Sequence, residues 1–157
     1  MRISAGAVAL LAVIVGSSFV FGAAEPILGI WKLNIDKSPP SPTVFQSQIS
    51  TLTEEDGMFV MVEDNITAKG MKYRVTCKLA LDGKDYPMTG SIAGMELVSG
   101  RKLGPNSVEL KAKKKDGSVL GTYWMTLSAN GKMRITLVWP GADVSGPPAR
   151  VVIHDRQ

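Results

Sequence analysis

From Met71 to Leu81 the chain reads MKYRVTCKLAL, and apolar and polar residues alternate over its whole length. Met71, Tyr73, Val75, Cys77, Leu79 and Leu81 fall on one face, and Lys72, Arg74, Thr76 and Lys78 on the other. A period of two is the signature of a strand with one dry and one wet side. Period two recurs through the chain, and the other candidate strands are 29–34, 45–53, 58–64, 94–103, 107–115, 119–128, 132–139 and 150–154. No stretch after residue 25 keeps a 3.6-residue apolar period over helical length. Short strands at this spacing, divided by turn signals, predict an all-β fold, an antiparallel sandwich or barrel.

Two turns test the register. Asp116-Gly117 reads as a two-residue hairpin turn, which sets Ala112 opposite Gly121, Leu110 opposite Tyr123 and Val108 opposite Met125. Glu109 then faces Trp124 and Lys111 faces Thr122 on the polar side. For Ser128 to Lys132 the assumption that apolar residues share one face selects a three-residue loop, Ala129-Asn130-Gly131. It places Leu127 opposite Met133, Met125 opposite Ile135 and Tyr123 opposite Leu137. The proline-rich stretches SPPSP and SGPP mark crossing connections or rim loops.

The first residues stand apart. Met1-Arg2 followed by AVALLAVIV and a small-residue segment ending at Ala24 has the pattern of a secretory leader, residues 1–24, ahead of a barrel domain at 25–157. The competing reading is an uncleaved anchor, since residues 3–24 carry no charge. Cleavage leaves an exported chain, periplasmic or secreted, with no stable membrane span. Cys77 is the only cysteine, so an intrachain disulfide is excluded. Without Arg2 the charge is 17 Lys+Arg against 14 Asp+Glu, about +3, too little to point to nucleic acid.

Gly29-Ile30-Trp31 on the first strand resembles the Gly-x-Trp signature of the lipocalin/calycin superfamily. GIWKLNIDKS and DGKDYPMTG also resemble a group of short exported bacterial proteins described as lipocalin-like and uncharacterised. The resemblance implies a lipocalin-like up-and-down antiparallel barrel, which the strand count puts at eight or nine strands. It also implies that Trp31 closes one end of that barrel beneath a basic side chain from near the last strand, Arg150 or Arg156, with Arg150 as first choice. The Thr-Asp-Tyr motif of lipocalins proper is missing; Thr122-Tyr123 comes nearest.

The chemistry-bearing residues are few. Cys77 sits on an apolar face between Val75 and Leu79 and reads as a packed thiol rather than a nucleophile. His154, the only histidine, alternates against Val151 and Ile153 and is expected to face outward; one histidine and one cysteine do not build a tetrahedral metal site. Glu54, Glu55 and Asp56 cluster at a turn, as do Glu63 and Asp64, where solvated carboxylates outnumber catalytic pairs. Lys111, Lys113 and Lys115 read as a solubilising outer face, and no cofactor is implied. Seven methionines follow the leader, a residue suited to irregular apolar space.

The leading expectation is therefore a non-enzymatic binding protein for a small, largely apolar ligand. Its cavity would be lined by Tyr73, Val75, Leu79, Leu110, Tyr123, Met125, Ile135 and Leu137, the tyrosines orienting the ligand through their hydroxyls. The alternative is a filled barrel acting through its rim loops, Ser38–Thr43 and Trp139–Pro148, with Trp139 as anchor. An enzyme requires an acid–base pair inside the barrel, and no charged residue falls on the inward faces registered above.

Overall fold

The computed structural model describes residues 26–40 and 45–157. The leader expected at 1–24 lies outside the described residues, as do Ser41 to Thr43 of the first rim loop and Val44 after it. Ten strands form: β1 (Gly29–Leu33), β2 (Phe45–Glu55), β3 (Met58–Thr67), β4 (Lys72–Leu79), β5 (Asp82–Thr89), β6 (Leu97–Gly104), β7 (Ser107–Lys113), β8 (Val119–Leu127), β9 (Met133–Pro140) and β10 (Arg150–Arg156). Each pairs antiparallel with its neighbour in sequence, and β1 also pairs with β10, closing an up-and-down barrel. The barrel is the expected architecture, with ten strands instead of eight or nine. Ser38, Pro39 and Pro40 of SPPSP and all of SGPP lie in rim connections, because a meander has no crossings.

The additional strand is β5. Its sequence DGKDYPMT turns only Tyr86 and Met88 inward against four charged or glycine positions, and Pro87 can donate no ladder hydrogen bond. The seam it makes with β4 is correspondingly thin: Thr76↔Thr89 and Cys77↔Met88 are its ladder pairs.

The barrel's packed half lies at the end where the β2–β3, β4–β5, β6–β7 and β8–β9 turns gather. Ile27, Leu52, Phe59, Leu79, Val108 and Leu110 are buried there around Trp31, which is 0% exposed. Burying side chains of this size stabilises the fold by roughly 1.5–3 kcal/mol each. At Gly100 a Cβ would stand 2.7 Å from the ends of both the Leu79 and Leu110 side chains, which would have to shift to admit it. Trp31 donates its indole N–H to the Ile27 carbonyl at 2.9 Å.

Arg156, not Arg150, covers Trp31. Its guanidinium carbon lies 4.2 Å from the indole centroid, and its nitrogens donate to the carbonyls of Gly131, Leu28 and Pro26 at 2.9, 2.9 and 2.6 Å. The register explains the choice: Trp31 pairs with Arg156, whereas Arg150 starts β10 at the opposite end and stacks 5.9 Å from the Phe45 ring. Arg156→Ala is expected to lower the unfolding free energy by about 2 kcal/mol, losing three carbonyl bonds and the ring contact. Arg156→Lys should recover little, because one ammonium cannot reproduce the planar fork. Urea midpoints of the three proteins measure this, and full recovery by lysine would show that charge alone holds the end shut.

Candidate functional site

Strand parity places a polar cluster inside the other half of the barrel. The β7–β8 ladder follows the expected register, Leu110↔Tyr123 and Val108↔Met125, although Lys113↔Val119 shows that a bulge lies before the turn. The β8–β9 ladder does not follow it. Met125 faces Thr136, Tyr123 faces Val138 and Leu127 faces Arg134 around a four-residue loop closed by the Ser128 N–H to Met133 carbonyl bond. This one-residue difference turns Arg134, Thr136 and Val138 inward.

Ile135 and Leu137, expected in the lining, therefore stand on the outer wall opposite Thr126 and Trp124. The same parity runs on into β10, where His154↔Arg134 and Arg150↔Val138 carry both residues inside. His154, expected outside, is 1% exposed. What misled the alternation is an apolar outer wall. Trp124 and Trp139 pack there with ring centroids 5.0 Å apart, next to Leu137 and Val151.

Two hydrogen-bond chains organise the interior. In the first, Arg134 donates to the Ser50 hydroxyl at 2.9 Å, and Ser50 in turn hydrogen-bonds the Glu63 carboxylate. In the second, His154 Nε2 meets Gln48 Oε1 at 2.8 Å, Gln48 donates to Asn65 Oδ1 at 2.7 Å, and Asn65 donates to the Glu63 carbonyl at 3.2 Å. Arg134 also lies 5.8 Å from the Trp31 ring, beneath the plug. Tyr73, Tyr123 and Arg150 complete the set, close enough to Glu63 for their charges to act on one another.

Burial decides the protonation states. It raises the Glu63 carboxyl above the ordinary glutamate value, against the opposing pull of Arg134, the Ser50 hydrogen bond and Arg150. It brings His154 down to about 3, helped by the Arg134 charge and resisted by Asp155, so the imidazole is neutral. Arg134 is brought down to about 10, with Glu63 pulling the other way, and remains a cation. Tyr73 is raised, first by burial and then by Glu63; Tyr123 is raised by burial in the face of Arg150. Cys77 is pushed up to about 12 by burial and Glu63, and is an inert thiol at neutral pH.

Four buried polar atoms among the described residues lack a hydrogen-bond partner: Arg134 Nε, Thr136 Oγ1, Arg150 Nε and His154 Nδ1. All four belong to inward positions of β9 and β10. Each such atom ordinarily costs about 1–3 kcal/mol, so the four leave one inner surface with unmet hydrogen-bonding capacity.

The sequence-expected lining divides by height. Tyr73 and Tyr123 border the cluster and keep accessible surface. Val75, Leu79, Leu110 and Met125 face inward but are buried in the packed core. Glu63, Arg134, Arg150 and His154 were not expected in a ligand site. The signal available in the sequence was the parity of QSQIS, which puts Gln48 and Ser50 on the same face as Leu52.

The remaining chemistry-bearing residues lie elsewhere. Glu54, Glu55 and Asp56 are exposed at the β2–β3 turn. On the outer wall, Glu109 binds Arg101 through two hydrogen bonds and accepts the Trp124 N–H at 2.8 Å. Trp139 is buried beneath the β9–β10 connection and donates to the Gly146 carbonyl at 2.8 Å, so it is not free to anchor a partner. A hollow of about 690 Å³ opens on the plugged end beside Lys37, Lys132 and Asp155, but Lys37 and Asp155 already form an ion pair there.

Among the family models, curated proteins and solved structures compared with it, none matches this chain.

Proposed function

We propose that this is an exported binding protein that takes one small molecule into the polar half of its barrel. The observation that carries the reading is the inward-facing set of unpartnered atoms on Arg134, Thr136, Arg150 and His154. A protein interior this deep ordinarily satisfies its polar atoms, and a ligand with hydrogen-bonding capacity would satisfy them here. The ligand is amphipathic: its polar part meets the cluster, and its apolar part lies against Val138, Val152 and the Tyr73 and Tyr123 rings. The expectation of a largely apolar ligand gains a polar pole from this arrangement.

Native mass spectrometry of the protein recovered from its own cells tests the reading. The expected spectrum contains an extra mass that is released on denaturation and is reduced in Arg150→Gln. A clean apo mass that persists after exposure to the cell's lipid and metabolite extract would overturn it. A second reading, a barrel that moves a proton on its bound molecule, is favoured by the raised Glu63 carboxyl beside two tyrosine hydroxyls. A ligand recovered chemically unchanged after prolonged incubation would count against that second reading.

A further inference from the structure

The interior cluster sets two arginines against one glutamate. Arg134 is committed to Ser50 through one terminal nitrogen, while its Nε is unpartnered. Arg150, at the start of β10, has its buried Nε unpartnered and its guanidinium near the Phe45 ring. Glu63 on β3 is a carboxylate that both arginines act on. It faces Ser50 from β2, Tyr73 and Cys77 from β4, Tyr123 from β8, Arg134 from β9 and Arg150 from β10, with His154 behind Arg134. None of the other groups facing it is an anion at neutral pH.

Building on the proposed ligand site, we infer that the barrel binds a small organic anion on Arg150 and Arg134, and that each anion enters together with a proton that Glu63 takes up.

The geometry requires the coupling. A second anion beside the same arginines competes with Glu63 for their positive charge and repels its carboxylate at low effective dielectric. Glu63 relieves this by accepting a proton from solvent on its carboxylate oxygen, a change that its burial already favours against the pull of the two arginines. By linkage, protonation of Glu63 strengthens anion binding by the same factor. The neutral carboxyl then donates a hydrogen bond, to Ser50 or to the anion, where the carboxylate only accepted. Affinity for the anion should accordingly fall about tenfold per pH unit between the free and the occupied pKa of Glu63, and level off on either side.

The test uses decane-1-sulfonate, whose charge does not titrate over the working range, and decan-1-ol as its neutral counterpart, both by isothermal titration calorimetry in buffers of different ionisation enthalpy. The expected result for the wild-type protein is uptake of close to one proton with the sulfonate and none with the alcohol. Glu63→Gln should bind the sulfonate about tenfold more tightly than wild type at neutral pH, with no proton uptake and no pH dependence. Proton uptake retained in Glu63→Gln would transfer the role to His154 and overturn the assignment. Sulfonate binding without proton uptake in the wild type would overturn the coupling while the ligand site stands, and it needs no variant to fold. Binding of neither probe would remove the ligand site itself.

Discussion

Acidification from pH 6.5 to about 3 is expected to remove roughly 4 kcal/mol of stability through His154 alone. In the unfolded chain the imidazole titrates at its ordinary 6.5, whereas in the barrel it resists protonation until about 3. The depressed folded value means that the stabilisation is complete above pH 6.5 and is lost as the pH falls, at about 1.4 kcal/mol per unit, because only the unfolded state gains the proton. Glu63 acts in the opposite sense. Its folded value lies above 4.5, so its contribution is complete below pH 4.5 and fades as the pH rises through the folded value. Between those limits it offsets part of the His154 loss.

Below pH 4.5 the loss is unopposed, and Glu109 adds to it. Burial raises that carboxyl, yet the hydrogen bonds from Arg101 and Trp124 and the charge of Lys111 hold it below its ordinary value. Urea midpoints measured along the pH axis should therefore fall more steeply below pH 4.5 than above it. In His154→Gln the decline above 4.5 should disappear. An unchanged slope in that variant would show that the histidine is not the group responsible.

Gly90→Ala is expected to cost about 3–5 kcal/mol, or to prevent folding. Gly90 follows β5 with φ of +80°, and a Cβ there would stand 1.7 Å from the carbonyl oxygen of Arg74 and 2.9 Å from its carbon. Both are backbone atoms of β4, which cannot swing aside as a side chain can. The strain falls on the β4–β5 seam, whose ladder has two pairs. Gly117→Ala is the control. Its φ of +85° is as unfavourable, but nothing lies within 4 Å of the new methyl, and a loss of about 1 kcal/mol is expected. Equal losses in the two variants would mean that backbone conformation, not the clash, sets the cost.

The barrel was legible because nine of its ten strands carry apolar positions between turn signals, with clear period-two alternation in β4 and β7. β5, with charges at Asp82, Lys84 and Asp85 and a proline at 87, was not legible. The candidate site was not legible, because assigning faces by hydrophobicity presumes a dry inside and a wet outside. On β9 that presumption fails: Ile135, Leu137 and Trp139 pack on the outer wall, while Arg134 and Thr136 enter the barrel. Asn130-Gly131 is compatible with more than one hairpin loop, so the turn did not correct the error. A single misplaced residue there inverted β9, and the β10 pattern VVIH offered no contradiction. The β7–β8 register, by contrast, was fixed by a face with Leu110 and Val108 on one side and Lys111 on the other, where hydrophobicity and burial agree.

Closure of the barrel depends on one long-range seam. Every other strand pair is a hairpin that can form as soon as its two strands exist, but Trp31 meets Arg156 only after the whole of the intervening chain is in place. Until then the nascent sheet has two raw edges, the free sides of β1 and β10, whose backbone groups fit each other equally well on separate copies. At high concentration during refolding, joining between molecules competes with joining within one, and a strand-exchanged dimer is the natural product of that competition. Arg156 strengthens that seam whichever copy supplies the first strand, since the carbonyls of Pro26 and Leu28 arrive with β1 while that of Gly131 stands beside its own strand.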